Sequence, residues 1–241
     1  LPRPLPVAYA LVMVNLFDDP AAMPLLRQAM MDRSDPAAPG IRAVALVGLI
    51  RLRDRMNDQA WTAIVADAQQ LAGTESNPVV LSRLYRFLAT ESPDARAQQG
   101  ATAILGILES RLTRIEQRDL VASFADCEAA VWLGRRALAA QNAPPLNPIV
   151  LQMGRLLADA AFSYTSPQTP PALKEDLERV VLAAEGALIE IASARAQGQP
   201  RPDVTRAVLS PGADQAKHVT DEVNKWIGTP AAQGFLNRAP F

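Results

Sequence analysis

Eight consecutive residues, Ala43 to Ile50 (AVALVGLI), carry no polar side chain. A surface helix needs one apolar stripe, whereas a helix apolar on every side must be covered on several sides. Eight helical residues rise about 12 Å, far short of the roughly 20 residues that cross a bilayer, so the cover has to be protein. Helix pairs stacked on one another supply such cover, because each helix is pressed by its mate and by the neighbouring pairs.

The punctuation around this run points the same way. A capping residue followed by proline recurs at Asp19-Pro20, Asp35-Pro36, Asn77-Pro78, Ser92-Pro93, Asn147-Pro148 and Thr169-Pro170. Such a cap accepts a hydrogen bond from a first-turn N–H, and proline at the first helical position has no N–H to leave unpaired. Helices are expected near 7–16, 20–32, 38–54, 57–72, 78–90, 93–113, 116–140, 148–164, 171–196 and 214–227. No segment alternates with period two beside a hairpin turn, so no sheet is expected. Residues 198–213 (GQPRPDVTRAVLSPGA) hold three prolines and read as a surface connection, and TPAAQGFLNRAPF reads as a loosely held tail.

The fold class is therefore all-α. Aromatics are only 5% of the chain, which leaves a core of alanine and aliphatic residues suited to close helix packing. Val7–Phe17 (VAYALVMVNLF) is read as a buried first helix rather than a signal peptide, because Asn15 interrupts it and DDP follows it. A chain that starts at Leu1 is expected to be trimmed or cut from a longer protein. The net charge of −1 argues against nucleic-acid binding, and no segment is long enough for membrane insertion. With one cysteine and one histidine, the sequence holds no disulfide pair and no Cys/His zinc or haem-attachment spacing. A missing disulfide suits the cytosol and does not exclude a periplasm.

Asp18 to Leu52 (DDPAAMPLLRQAMMDRSDPAAPGIRAVALVGLIRL) resembles a HEAT repeat. The likeness lies in a proline-bearing first helix, an acidic turn with Asp32 and Asp35, and a second helix beginning IRAVAL. Residues 57–91 are a weaker copy, with Arg83 as the counterpart of Arg42, and Arg96 begins what reads as a further second helix. The resemblance implies a right-handed α-solenoid (armadillo-like) of about nine or ten helices over residues 1–197. Residues 198–241 would form a connection, a short helix and a tail packed on it or extending from it. It also implies a ladder in which Asp32 or Asp35 and Arg42, then Arg83, tie neighbouring repeats.

Chemistry is sparse. Cys127 falls on the apolar face that also carries Leu120, Phe124 and Val131, where a thiol is inert packing. His218 sits in AKHVTDE on an exposed helix face. Asp18/Asp19, Glu175/Asp176/Glu178 and Asp221/Glu222 cluster, the first two groups at helix starts where the dipole favours them. A carboxylate pair on an all-helical toroid would suit a carbohydrate-active enzyme, but Trp61, Trp132 and Trp226 are the only tryptophans for sugar stacking. No catalytic, cofactor or metal residue is assigned, and no cofactor is implied. The second helices carry Arg42, Arg51, Arg53, Arg55, Arg83 and Arg86 against Asp54. In a HEAT stack these helices line the concave side, so Arg51, Arg53, Arg55 and Arg86 are the candidate surface for a protein or peptide partner, an acidic one by charge. The alternative is a solvated row of helix ends. The expectation is a non-catalytic interaction or scaffolding module, the other readings being the toroid enzyme and a structural spacer.

Enclosure makes a prediction at Gly48, midway along the apolar run. Leucine is the better helix former, yet Gly48→Leu should destabilise by about 1–3 kcal/mol through overpacking. Chemical denaturation would read this, and a raised melting temperature would mean that the face is open to solvent.

Overall fold

A computed structural model describes residues 12, 19–33, 38–90, 95–115, 123–139, 146–193 and 201–237. Apart from Val12, the expected helix at 7–16 lies outside the described residues, as do the caps Asp35 and Ser92. The chain forms two compact units, Leu1–Ile107 and Leu108–Phe241. Among the described residues there are ten α-helices, and the one strand pair is two residues long on each side.

The first unit opens with a 3-10 turn, Pro20–Ala22, whose cap Asp19 accepts from the Ala21 N–H at 2.9 Å. It leads into α1, Met23–Met30. Helix α2, Ala38–Leu52, ends in a 3-10 turn at Arg53–Arg55. Helix α3, Asp58–Ala72, starts on Asn57, which accepts from Ala60 N–H at 2.8 Å. Helix α4, Pro78–Leu88, starts on Asn77, whose side chain takes the N–H groups of Val79 and Val80 at 3.0 and 3.2 Å. Helix α5, Ala95–Ile115, closes the unit with its first residues.

The apolar run has the setting that its composition requires. Of α2, Ala43, Ala45, Leu46, Gly48 and Leu49 are buried and Val44, Val47 and Ile50 half-buried, so no side of residues 43–50 faces freely into solvent. It packs on α1 and on α4, and α3 packs on α4. The core between them is built from Leu26, Met30, Leu46, Leu49, Leu84 and Phe87, with the Trp61 ring 5.2 Å from Phe87. Helix α5 lies along α3, because Arg96 meets Asp58 and Gln99 meets Thr62. Arg96 is therefore placed against the start of α3.

The second unit holds α6, Ser123–Ala139, α7, Leu146–Thr165, and α8, Pro171–Ser193. Helices α7 and α8 pack as a hairpin, and α6 packs against both. Two expected caps act otherwise. Asn147 lies inside the first turn of α7, and Thr169 donates its hydroxyl back to the Ser163 carbonyl at 2.5 Å, while α8 begins at Pro171.

The stretch expected to be a connection and tail is built into this unit. Helix α9, Val204–Leu209, packs on α8, and α10, Gln215–Ile227, packs on α7. A tight ribbon follows, Gly228–Thr229 (β1) against Ala232–Gln233 (β2), and then a 3-10 turn, Phe235–Asn237. Gly228 ends α10 at φ +86°, a region that suits glycine, and the ribbon turns back at residues 230–231. The reversal lays Phe235 edge-on to Trp226, ring centres 5.2 Å apart, and both are buried. Phe235 and Leu236 are thus buried in the second unit, Leu108–Phe241.

One close approach has a measurable consequence. A Cβ on Gly100 of α5 would lie 2.2 Å from the backbone oxygen of Leu88 at the end of α4. Backbone cannot swing aside as a side chain can. Gly100→Ala should therefore lower stability by about 1–3 kcal/mol although alanine favours the helix, read as a lower urea midpoint.

Candidate functional site

The expected ladder residues meet through a carboxylate that the sequence reading passed over. Arg42, 8% exposed, donates from Nε to Glu75 at 2.8 Å and pairs with it through Nη2 at 2.7 Å. Its Nη1 donates to the backbone carbonyl of Asp32 at 2.7 Å. Glu75 accepts with its other oxygen from the N–H groups of Ser76 and Asn77, at 3.1 and 2.8 Å. One buried guanidinium thus holds the turn before α2 and the turn before α4 together. Asp32 enters through its carbonyl, Asp35 lies outside the described residues, and Glu75 carries the charge. Its position two residues before the cap Asn77, in ESNP, is the signal that could have marked it.

The remaining arginines divide by use. Arg83 donates to the Ala43 carbonyl at 2.7 Å, crossing from α4 to α2. Arg53, one of the candidate partner residues, is turned onto its own fold. Its Nη1 donates to the carbonyls of Arg86, Phe87 and Ala89 at 3.2, 3.2 and 3.0 Å, where α4 runs out of helical partners. Arg51, Arg55 and Arg86 are exposed. On the other side, Arg27 of α1 pairs with Asp67 of α3, and this hydrogen bond raises the arginine's pKa against the effect of burial. That pair spans a cleft of about 410 Å³ floored by Met23, Met31, Ala60 and Ile64.

In the second unit the buried polar groups are structural. Glu185, 1% exposed, accepts from the Val204 and Thr205 N–H groups at 2.8 and 2.6 Å and from the Trp226 indole at 2.8 Å. It therefore ties α8 to both α9 and α10. Arg111 and Asp126 form a buried pair at 2.8 Å. Beside it Cys127 is 3% exposed, and burial pushes its thiol far above the ordinary range, with the charges of Asp126 and Glu128 adding to the effect. A thiol held so firmly protonated is a poor nucleophile.

The exposed His218 shares a cleft of about 400 Å³ with Asp203, Asp221 and Glu222 and with the cations Arg206 and Lys225. Two of these carboxylates serve the fold. Asp203 caps α9 by accepting from Arg206 N–H at 2.8 Å, and Glu222 accepts from Asp203 N–H at 2.9 Å and from Lys225. Burial works to raise the Glu222 pKa, but the hydrogen bonds from Lys225 and Asp203, with the charges of Lys225 and His218, outweigh it and hold the group below its ordinary range. Glu175 pairs with Arg179 four residues along α8. Trp61 and Trp226 are buried, and Trp132 is half-buried under Arg136, 5.7 Å from its ring centre. Among the described residues no three metal-binding side chains converge, and no helix is long and apolar enough to cross a membrane.

The chain matches no family model, no curated protein and no solved structure.

Two outcomes follow from these geometries. Arg42→Ala leaves a buried carboxylate without its cation and should destabilise by about 3–5 kcal/mol. The pair Arg42→Met with Glu75→Gln should recover a large part of that loss, and a double-mutant cycle in urea would measure it. For Glu222 the folded-state pKa lies below the unfolded one. Its contribution to stability is thus present above the ordinary carboxylate pKa and lost as pH falls through the lowered value. Glu222→Gln should be less stable than wild type at pH 7, with the gap closing on acidification. A gap unchanged down to the acid limit would refute the assignment.

Proposed function

We propose that the chain is a non-catalytic interaction or scaffolding module whose first unit is a HEAT-like stack of helix pairs. One observation carries this reading. The long-range side-chain hydrogen bonds described in the first unit link residues one repeat length apart. Arg27 and Asp67 are 40 residues apart, Arg42 and Glu75 33, Arg83 and Ala43 40, Arg96 and Asp58 38, and Gln99 and Thr62 37. Arg53 reaches residues 33, 34 and 36 positions on. Bonds confined to one interval are what a chain makes when each repeat touches only its neighbours.

The layering supports the same reading. Helix α3 meets α1 through Arg27–Asp67 and α5 through Arg96–Asp58, while α2 packs on α4. Stacks of this kind expose long surfaces on rigid helices, and such surfaces suit recognition. The polar groups brought together inside the two units are largely spent on caps and cross-links, which favours binding over chemistry at those places.

The test is capture. The immobilised chain should retain a partner from lysate of its source organism, saturably and in competition with free chain, and heat-denatured chain should retain none. Retention that free chain cannot displace, or turnover of a small substrate lost in an Asp221→Asn variant, would overturn the reading.

A further inference from the structure

Helices α9 and α10 run antiparallel. Glu222 of α10 accepts from the N–H of Asp203 just before α9, and the Gln215 side chain at the start of α10 donates to the Val208 carbonyl near the end of α9 at 2.6 Å. Val204, Val208, Val219 and Val223 of this pair are buried, while the cleft of about 400 Å³ that both helices line holds polar side chains and the single methyl group of Ala207. The fold uses those side chains unequally. Asp203 caps α9, and Glu222 is held by the Asp203 N–H and by Lys225. Arg206, Ser210 and Asp221 have no side-chain hydrogen bond or ion pair among the described residues, and His218 reaches Glu222 through its charge alone. All four are exposed. The register of the pair sets Arg206 level with His218, Ser210 to one side of them, and Asp221 about 4.5 Å along α10 to the other.

We propose that this cleft binds a small zwitterion of dipeptide size, with its carboxylate on Arg206 and Ser210 and its ammonium group on Asp221. The site goes beyond the interaction reading and stands independently of it. A guanidinium meets a carboxylate through paired hydrogen bonds, and a hydroxyl adds one more donor. Each exposed pair is weak, so the ligand must engage both ends at once. A ligand of a single sign fits less well, because an anion would meet Asp203, Asp221 and Glu222 and a cation would meet Arg206 and Lys225. Among the described residues no three metal-binding side chains converge, so a bare divalent ion is not the occupant. An extended dipeptide spans about 7 Å, enough to join Arg206 to Asp221. The cleft lies at the small end of the range for ligand sites, which suits a molecule of that size.

His218 is the one histidine of the chain, so its imidazole C–H signals identify themselves in an NMR spectrum of the full chain. Titration with L-alanyl-L-alanine at constant neutral pH should shift them saturably, with a Kd of about 1–10 mM. The N-acetylated dipeptide, which lacks the ammonium group, and the C-terminal amide, which lacks the carboxylate, should each bind about threefold to fivefold more weakly. Asp221→Asn and Arg206→Gln should weaken the unblocked dipeptide by a similar factor with an unchanged helical spectrum. Should either variant fail to fold, the two blocked dipeptides decide the matter on the wild-type chain. No saturable shift, equal binding of all three dipeptides, or equal affinity in the folded variants would each overturn the site while leaving the interaction module standing. Hydrolysis of the bound dipeptide would support the site and overturn the non-catalytic reading instead.

Discussion

The buried pair of Arg42 and Glu75 is the constraint on which the first unit rests. Charges so deep in a protein are costly unless every donor and acceptor is matched. Here the match reaches outward: Glu75 holds the N–H groups of Ser76 and Asn77, and Asn77 in turn holds those of Val79 and Val80. The start of α4 is thus set by the same group that fixes α2. Apolar packing alone would let α2 slide or turn, since residues 43–50 offer the same greasy surface on all sides. The polar cross-links supply the direction that the hydrophobic surface lacks.

The second unit solves the corresponding problem with Glu185. Its two oxygens receive three N–H groups from two other helices, and the result is again a buried charge with its partners supplied by distant segments. Arg42–Glu75 joins two turns, whereas Glu185 joins the middle of a helix to the start of α9 and to Trp226. Both make specificity from groups that contribute modestly to stability once desolvation is counted.

Much of the helical layout was legible in the sequence, because caps and periodicity are local. Asn57 and Asn77 cap where their side chains predict, and α2 is enclosed as its run of apolar residues requires. Thr169 was misread because its hydroxyl has a nearer acceptor in Ser163, which local pattern cannot reveal. Helix α9 was missed because six residues between prolines have too little length to show a period; its stability comes from Glu185, Asp203 and Glu222. The use of Arg53 was equally invisible, since an arginine at a helix end looks the same whether it faces water or a neighbour's carbonyls. Glu185 did leave a trace: it stands on the face of α8 that buries Leu177, Val181 and Leu188, where an acidic residue needs a reason.

The order in which the chain leaves the ribosome sets different demands on the two units. In the first, each cross-link has both partners within about one repeat length, so a helix pair can be secured as soon as the next has emerged. Glu185 is completed in two stages. Its oxygens meet the Val204 and Thr205 N–H groups 19 and 20 residues downstream, and the Trp226 indole only 41 residues downstream. Until Trp226 emerges, packing α8 would bury a carboxylate short of one of its three donors. The second unit is therefore kept from closing early by its own chemistry, and a stall or cleavage before Trp226 would leave α8 exposed to quality control.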